Sequence, residues 1–211
     1  MGKKPLVVTM DMEGVITPEF WIRIAESCGI DDLRLTTRDM DDYHQLMQHR
    51  LRTLEKHDLT IHDIRYVLEE MQPLPGAADF LTSLRRRYQV IILSGTFYEF
   101  AMPVMEKLNW PTLFCNRLEI NTRGSITDYW LRDEKDKENA VKALQRLNFR
   151  TVGVGDSYND IDMLKTADLG ILFRPPAPLK TALPSLPTTE CYDDLRDRIA
   201  AFEDRDMTRV S

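Results

Sequence analysis

Four short apolar runs, rich in valine, isoleucine and leucine, recur along the 211-residue chain and alternate with longer helix-like stretches. They are Leu6–Met10, Val90–Leu93, Thr151–Val154 and Leu169–Phe173. Uninterrupted apolar runs of this length are typical of strands that are buried on both faces of a parallel sheet. Their alternation with helices indicates that helices cover both faces. The sequence therefore predicts an α/β fold whose core is a doubly wound parallel sheet.

The spacing between the first two runs predicts an insertion. About 80 residues separate them, whereas a complete βαβ unit needs only ~30. Within the gap, Thr60 and Asp63 have the spacing of a capping box that begins a helix running to about Met71. Gln72–Gly76, with two prolines and a glycine, then breaks the helix. We expect a small helical cap domain at residues 19–73, inserted after the first strand, and a catalytic core domain made of residues 1–18 and 74–211.

Three later segments complete the expected core. Leu113–Leu131 has alternating apolar segments on either side of Asn121–Gly124, which predicts a β-hairpin. The proline-rich stretch Arg174–Leu186 is expected to be a loop. Asp193–Asp204 is expected to close the fold as a terminal helix.

Composition argues against several classes of function. The formal net charge of −6, without a cluster of lysine and arginine, argues against nucleic acid or an anionic membrane as the main partner. Three cysteines without a CxxC spacing indicate free, buried thiols and no structural zinc site. No apolar stretch has the ~18 residues of a membrane-spanning helix, and no signal peptide is evident. We therefore expect a cytoplasmic protein.

Two pairs of acidic residues follow predicted strands. Asp11 and Glu13 come directly after the first strand, and Asp156 and Asp160 follow the third. Ligands bind at the carboxyl ends of the strands in α/β sheets, and a spacing of four lets Asp156 and Asp160 face one side at a helix start. Carboxylates in one pocket repel each other unless a cation lies between them. The pattern therefore predicts a divalent metal.

A hydroxyl and a cation lie between the two acidic pairs. Ser94 and Gly95 follow the second strand, and Lys137 begins a predicted helix. Each residue alone has an ordinary explanation, because aspartate and serine suit turns and caps and helix lysines are usually solvated. Together, in this order, the four motifs resemble those of the haloacid dehalogenase superfamily of phosphotransferases. The resemblance implies a Rossmann-like core with a cap inserted after the first strand.

The resemblance assigns chemical roles to the first acidic pair. It implies that Asp11 attacks phosphorus and forms an aspartyl-phosphate. It also implies that Glu13 protonates the leaving alkoxide and then deprotonates the incoming water. The family more commonly has aspartate at this second position. Glu13 is one methylene longer than aspartate, which changes the reach of the acid. This difference also narrows the choice of subfamily within the superfamily.

The same resemblance places the phosphoryl group. It implies that Ser94, the N–H of Gly95 and the ammonium of Lys137 hold phosphoryl oxygens. Lys135 is a competing lysine two residues away. Lys137 is preferred because the family lysine opens the helix that precedes the Gly-Asp strand. Asn159 is placed where it can contact the substrate or the attacking water.

One Mg²⁺ ion is the expected cofactor, because hard oxygen ligands in a phosphate site favour it. By resemblance its ligands are an oxygen of Asp11, the main-chain carbonyl of Glu13, and Asp156. Asp160 is expected in the outer shell of the metal site, where it orients waters or Lys137.

Three residues of the cap match the groups that bind the amino and carboxylate groups of phosphoserine in phosphoserine phosphatases. They are Glu19, Tyr43 and Arg50. Arginine can hold a carboxylate through two hydrogen bonds, and glutamate can pair with an ammonium. Arg38 and Arg52 are nearby competitors for the carboxylate. Alternatively, these residues do not bind substrate: Arg50 is then a solvated helix arginine, and Glu19 is an acid in the first turn of a helix, stabilised by the helix dipole.

Five stretches resemble the bifunctional phosphoserine phosphatase/homoserine phosphotransferase branch of the superfamily. They are Asp11–Val15, Pro18–Ile22, Thr36–Asp39, Thr96–Phe100 and Gly155–Asp160. The resemblance implies hydrolysis of L-phosphoserine, with transfer of the phosphoryl group to homoserine as a second outcome. The branch can have an acidic residue where this chain has Gly95, a departure that favours hydrolysis over transfer.

Other functions remain open at this point. An enolase-phosphatase and a sugar phosphomutase share parts of the first motif, and a non-catalytic phospho-ligand sensor would keep the fold without turnover. A hydrolytic dehalogenase is disfavoured, since cleavage of a carbon–halogen bond needs no acidic cluster or metal. The expected partner is a small phosphorylated amino acid, and a homodimer is left open.

Overall fold

Seven strands form one sheet among the residues that the structure describes. The structure is a computed structural model that describes residues 4–36, 39–40, 42–133 and 135–204. The strands are β1 (Leu6–Met10), β2 (Gln89–Phe97), β3 (Thr112–Ile120), β4 (Ile126–Trp130), β5 (Arg150–Gly155), β6 (Leu169–Phe173) and β7 (Thr188–Thr189). Their order is β4-β3-β2-β1-β5-β6-β7, and only β4 is antiparallel to its neighbour. The predicted α/β fold and the predicted hairpin are confirmed.

β1 lies in the centre of the sheet, with the later strands placed on both of its sides. Val8 is opposite Val90 of β2 on one side and opposite Val152 of β5 on the other. β3 and β4 extend the sheet beyond β2, whereas β6 and β7 extend it beyond β5. A sheet with this topology has a crevice at the carboxyl ends of its central strands. The residues at the carboxyl ends of β1, β2 and β5 are therefore brought to one place.

Nine α-helices accompany the sheet in the described ranges. They are α1 (Phe20–Cys28), α2 (Tyr43–Lys56), α3 (Ile61–Glu69), α4 (Ala77–Arg85), α5 (Tyr98–Lys107), α6 (Asp136–Arg146), α7 (Ile161–Thr166), α8 (Ala177–Ala182) and α9 (Tyr192–Asp204). The first four lie between β1 and β2, and α1, α2 and α3 fall within the predicted helical insertion. No helix of the described chain is long and apolar enough to cross a lipid bilayer. The limits of the cap domain at residues 19 and 73 remain a prediction.

The predicted capping box begins α3. Asp63 Oδ2 accepts hydrogen bonds from the backbone N–H of Thr60 at 2.8 Å and from its hydroxyl at 2.6 Å. The first of these bonds satisfies an N–H group that a helix start leaves without an intrahelical partner. The helix ends at Glu69, two residues before the end expected from the sequence.

α3 attaches the helical insertion to the core at both of its ends. At the first end, the N–H of Ile61 donates to the carbonyl of Gly124 in the turn between β3 and β4, at 2.8 Å. At the other end, Lys107 of α5 donates from Nζ to the carbonyl oxygens of Glu69 and Met71, the latter at 2.8 Å. The insertion is therefore fixed to the hairpin and to α5.

Two expectations about loops and thiols are wrong. Arg174–Leu186 contains the short helix α8, because Pro178 stands in its first turn, where proline needs no N–H partner and its fixed φ suits a helix. Cys191 is exposed because it lies in the connection between β7 and α9, and Cys28 is only half-buried. Of the three thiols, Cys115 alone is buried. The terminal helix is confirmed as α9.

Candidate active site

Asp11, Lys137 and Asp160 form a buried ion-pair network beside the carboxyl ends of β1 and β5. Lys137 Nζ lies 2.8 Å from Asp11 Oδ2 and 2.7 Å from Asp160 Oδ1. Burial by itself would lower the pKa of Lys137, but the charges of the two carboxylates outweigh burial and raise it. Lys137, in the first turn of α6, is therefore a fixed ammonium group. The competing Lys135 is exposed, one position before the helix.

The carboxylate of Asp11 is held in one orientation. Its Oδ1 accepts a hydrogen bond from the N–H of Met12 at 2.7 Å, and its Oδ2 is the atom paired with Lys137. Burial, followed by the charge of Asp160, raises the pKa of Asp11, and Lys137 offsets only part of the rise. Additional positive charge would favour the ionised carboxylate, which is the nucleophilic form.

The loop after β5 brings a third carboxylate to the same place. Asp160 Oδ2 accepts hydrogen bonds from the N–H groups of Asp156 and Ser157, both at 3.1 Å, and this fixes the loop. Burial, followed by the charges of Asp160 and Glu19, raises the pKa of Asp156 to about 7. One side-chain oxygen from each of Asp11, Asp156 and Asp160 lies within 4.8 Å of the other two.

These carboxylates fit a divalent cation. Asp156 Oδ1 is buried and has no hydrogen-bond partner within the described residues. Gly14 has a φ of 80°, and a Cβ at this position would lie 2.3 Å from Asp156 Oδ2, so only glycine leaves room beside this carboxylate. Carboxylate oxygens are the ligands that hard cations such as Mg²⁺ prefer. A cation here would also offset the repulsion that raises the pKa of Asp11 and Asp156.

Glu13 is held above the network by the first turn of the helical insertion. Its Oε1 accepts a hydrogen bond from the N–H of Phe20, the first residue of α1, at 2.8 Å. Removal from bulk water inside the site, followed by the charge of Glu19, raises the pKa of Glu13 to about 8. Glu13 is therefore protonated at neutral pH, which is the state that a general acid needs.

The last residues of β2 include exposed and buried polar groups, because the strand continues past Leu93, the end predicted from the sequence, to Phe97. Ser94 is buried, and its Oγ accepts a hydrogen bond from the N–H of Thr96 at 3.2 Å. Gly95 is exposed between them, and its carbonyl accepts from Nδ2 of the buried Asn116 at 2.9 Å. Asn116 in turn accepts from the N–H of Arg132 at 2.9 Å. Sequence reasoning missed Asn116, because a single asparagine in an alternating strand carries little signal.

A cavity of about 500 Å³ lies between this end of the sheet and the helical insertion. Seven residues predicted to belong to the site line it, namely Asp11, Glu13, Glu19, Tyr43, Arg50, Gly95 and Asn159. The structure thus brings the proposed nucleophile and the proposed recognition residues of the cap to one cavity. A volume of this size is within the range of small-molecule sites.

Arg50 is the buried cation on the insertion side of the cavity. Its guanidinium lies 4.5 Å from the centre of the Trp21 ring, and its Nη2 donates to the carbonyl of Leu35 at 2.9 Å. Its Nε has no hydrogen-bond partner in the described part of the chain. Burial lowers the pKa of Arg50 to about 10, so the group remains charged at neutral pH. An arginine with an unused donor in a cavity suits a carboxylate ligand.

The other predicted cap residues differ in exposure. Glu19 is exposed at the start of α1, and Tyr43 is half-buried at the start of α2. Burial raises the pKa of Tyr43, so its hydroxyl is neutral. Of the two arginines that compete with Arg50 for the carboxylate, Arg52 is exposed on α2 and Arg38 lies outside the described residues. Asn159 is exposed at the rim of the cavity.

Comparison with known proteins identifies the family. Residues 6–168 match the family model described as haloacid dehalogenase-like hydrolase. The chain belongs to this family. The match extends from β1 to α7, so it includes every strand end that contributes to the carboxylate and lysine network of this haloacid dehalogenase-like hydrolase.

Members of the family that are similar to this chain include proteins named phosphoserine phosphatases. The chain is 43% identical over 202 residues to phosphoserine phosphatase ThrH of Pseudomonas aeruginosa, which covers 96% of this chain and 98% of that protein. It is also 43% identical over 201 residues to a phosphoserine phosphatase of Pseudomonas syringae pv. tomato, with 95% and 85% covered. These relatives place the chain in the phosphoserine phosphatase branch.

Solved structures agree with this placement. A substrate-bound phosphoserine phosphatase complex superposes with a TM-score of 0.74 at 26% identity, covering 95% of this chain and 99% of that one. A phospho-aspartyl intermediate analogue of phosphoserine phosphatase superposes with a TM-score of 0.69 at 27% identity, with 85% and 91% covered. The predicted Rossmann-like core of this family is confirmed.

Proposed function

We propose that the protein hydrolyses L-phosphoserine through an aspartyl-phosphate on Asp11. One observation carries the proposal: a single cavity has the lysine-paired Asp11 at one end and the charged side chains of Glu19 and Arg50 among its other walls. Phosphoserine carries a phosphoryl group for Asp11 to attack, an ammonium that Glu19 can pair with, and a carboxylate that Arg50 can hold. The 43% identical relatives that are named phosphoserine phosphatases support the same substrate.

The first half-reaction transfers the phosphoryl group to the protein. A carboxylate oxygen of Asp11 bonds to phosphorus while the bond between phosphorus and the serine oxygen breaks. Glu13, protonated at neutral pH because its pKa is raised to about 8, donates its proton to the leaving oxygen. Lys137, Ser94 and the N–H of Gly95 offset the charge on the phosphoryl oxygens. The products are serine and phospho-Asp11.

The second half-reaction releases phosphate. Glu13, now ionised, removes a proton from a water molecule whose oxygen attacks the phosphorus of phospho-Asp11. The bond between phosphorus and Asp11 breaks, and the carboxylate is restored with Glu13 again protonated. Lys137 stays paired with Asp160 through both steps, so the ammonium need not reorganise as charge develops.

We propose Mg²⁺ as the resident metal, held by Asp11 and Asp156 and by the main-chain carbonyl of Glu13. When bound, it supplies positive charge that favours ionised Asp11 and neutralises phosphoryl oxygens. Asp160 is assigned to the outer shell, because its oxygens accept hydrogen bonds from Lys137 and from the N–H groups of Asp156 and Ser157.

Transfer of the same phosphoryl group to homoserine is the second outcome that the proposal includes. Homoserine is an alcohol, and an alcohol can replace water in the second half-reaction without any other change. Gly95 stands where the bifunctional branch can have an acidic residue, so hydrolysis is the main activity that we propose.

Phosphate release from L-phosphoserine, measured with Mg²⁺ and with EDTA, tests the proposal on wild type and on Asp11→Asn. We expect metal-dependent release that falls by at least about 10³-fold in Asp11→Asn, because the amide cannot form the intermediate. A parallel reaction with homoserine tests for O-phosphohomoserine.

A generic aryl phosphate separates the alternatives. Turnover of the aryl phosphate without turnover of phosphoserine would keep the chemistry and reject the substrate, and a panel of sugar phosphates and enol phosphates would then identify the competing enzyme class. Absence of turnover on every phosphate would support the sensor. Equal rates in wild type and Asp11→Asn would reject the aspartyl-phosphate.

A further inference from the structure

The hydroxyl of Thr96 has no role in the chemistry described so far. Thr96 lies near the end of β2 with 3% of its surface exposed, and it lines the same cavity as Asp11 and Glu13. Within the described residues, its Oγ1 has no hydrogen-bond partner. A buried hydroxyl without a partner lowers stability, because it gives up hydrogen bonds to water and gains none in return. Because Thr96 also lines the cavity, its hydroxyl is left to bond with a ligand there.

The backbone around Thr96 is irregular. Pairing between β2 and β3 is regular up to Leu93 and resumes with a shifted register at Phe97. Such irregularities change the direction of side chains, and they are common beside active sites. The shifted segment contains Ser94, Gly95 and Thr96, which are the residues next to the proposed phosphoryl group.

The hydrogen bond between these residues determines which groups remain available. Ser94 Oγ accepts from the N–H of Thr96, so one lone pair is used and the Ser94 hydroxyl proton is left to donate. Thr96 Oγ1, with no partner in the described chain, also has its proton available. A phosphoryl dianion has only acceptor oxygens, and hydrogen bonds to a charged acceptor are the strong ones.

We propose that Thr96 is a further substrate-binding residue whose hydroxyl donates a hydrogen bond to a phosphoryl oxygen of the bound phosphomonoester. The identity of that ester as phosphoserine rests on the proposed function, but the contact itself involves only the phosphoryl group. Thr96 is thus expected to affect every phosphate ester that the protein accepts.

Thr189 provides a matched control for this proposal. It lies on β7, is 2% exposed, and its Oγ1 also has no hydrogen-bond partner among the described residues. It is not one of the residues that line the cavity. Replacement of either threonine by valine keeps the shape of the side chain and removes an unsatisfied hydroxyl. Both variants should therefore melt at or above the temperature of the wild type.

The test compares Thr96→Val, Thr96→Ser and Thr189→Val. Thr96→Val is expected to lower kcat/KM by about 10- to 100-fold for phosphoserine and for an aryl phosphate alike, without loss of thermal stability. Thr96→Ser keeps the hydroxyl and should remain within about threefold of the wild type, and so should Thr189→Val. Unchanged kcat/KM in Thr96→Val would overturn the proposal. Loss that occurs only with phosphoserine would also overturn it, since the contact would then be to the amino-acid part.

Failure of the proposed function gives a different result. If the wild type does not hydrolyse phosphoserine, the aryl phosphate still reports on Thr96. Binding of inorganic phosphate in the presence of Mg²⁺, measured by calorimetry, needs no turnover at all. Thr96→Val should weaken that binding by about tenfold or more, and equal affinity in the two proteins would reject the contact.

Discussion

The two ends of the cavity differ in whether their charged side chains form ion pairs with each other. At the sheet end, Lys137 contacts two carboxylates, and Asp11 contacts both Lys137 and the N–H of Met12. At the insertion end, Arg50 has one backbone acceptor for Nη2 while its Nε has no partner in the described residues, and Glu19 is exposed. The ion pairs of the sheet end are in place before a ligand arrives, although Asp156 Oδ1 and Thr96 Oγ1 there have no partner in the described residues. At the insertion end, the charged groups themselves are left for a ligand to pair.

This difference follows from how each end is built. Strand ends in a parallel sheet are fixed by the backbone ladder, and the N–H of Asp11 itself donates to the carbonyl of Val154 at 2.9 Å. Groups that stabilise a developing charge act best when they do not have to move. Helices of the insertion are positioned by side-chain packing and by the hydrogen bonds at the two ends of α3, outside the backbone ladder of the sheet. Their recognition groups can therefore change without changing the chemistry.

Replacement of Lys137 by methionine is expected to have the largest effect. It leaves Asp11 and Asp160 buried without the ammonium between them, and removal of one member of a buried ion pair costs about 3–5 kcal/mol of unfolding free energy. Turnover should also fall by about 10³-fold, because a charge that stabilises the transition state is lost. Urea unfolding and phosphate release measure the two effects.

Lys142→Met is the matched control for that change. Lys142 is on the same helix and pairs with Glu138, but its side chain is half exposed, and exposed pairs contribute about 0–1 kcal/mol. Equal stability of the two variants would mean that the sheet end is not organised by its ion pairs.

Glu13→Gln should reduce kcat for phosphoserine by about 100-fold, since the amide cannot donate the proton. The effect should be much smaller on p-nitrophenyl phosphate, whose leaving group needs no proton. In the wild type the acid is lost as pH rises through about 8, so kcat/KM for phosphoserine should fall above that pH. A pH profile that stays flat to pH 9.5, or equal losses on both substrates, would contradict the assignment of Glu13 as general acid.

The sheet end was largely predictable from the sequence. Asp11, Ser94, Asp156 and Lys137 each follow or precede a strand that hydrophobic runs identify, and parallel strands place their carboxyl ends at one edge. The order of these residues along the chain therefore predicted both the fold and the carboxylate network. Even the capping box at Thr60 was visible, because it depends on residues three positions apart.

The parts of the site that could not be predicted from the sequence depend on contacts between distant segments. The hydrogen bond from Asn116 to Gly95 and the register shift around Thr96 both depend on the pairing of β2 with β3. The stacking of Arg50 on Trp21 depends on how α2 packs against α1. No local spacing encodes such contacts, so sequence reasoning named Arg50 by resemblance and missed Thr96.

Arg50→Lys tests the insertion end alone. Lysine keeps the charge but loses the planar donor group that can hold a carboxylate through two hydrogen bonds. We expect KM for phosphoserine to rise by about 10- to 100-fold, with kcat/KM for the aryl phosphate within about threefold of the wild type. Arg52→Lys, on the exposed side of the same helix, should change neither value. Parallel losses on both substrates would mean that Arg50 supports the chemistry as well as recognition.

The smallest effect is expected at Tyr129, which joins the two ends. Tyr129, on β4, lies with its ring centre 6.2 Å from that of Tyr43 and 6.3 Å from that of Phe97, and its hydroxyl lies 2.5 Å from His44 Nδ1. Tyr129→Phe keeps the rings and removes the hydrogen bond to α2. Loss of one such bond is worth about 0.5–1.5 kcal/mol, so KM for phosphoserine should rise by about 2- to 10-fold while kcat stays the same.

Tyr66→Phe is the control, because Tyr66 is 71% exposed. If Tyr129→Phe lowers only the melting temperature and leaves KM unchanged, the hairpin stabilises the insertion without orienting its recognition groups. A change in kcat on the aryl phosphate would mean that the two ends are coupled through this ring, and the division between a fixed chemical end and an adjustable recognition end would fail.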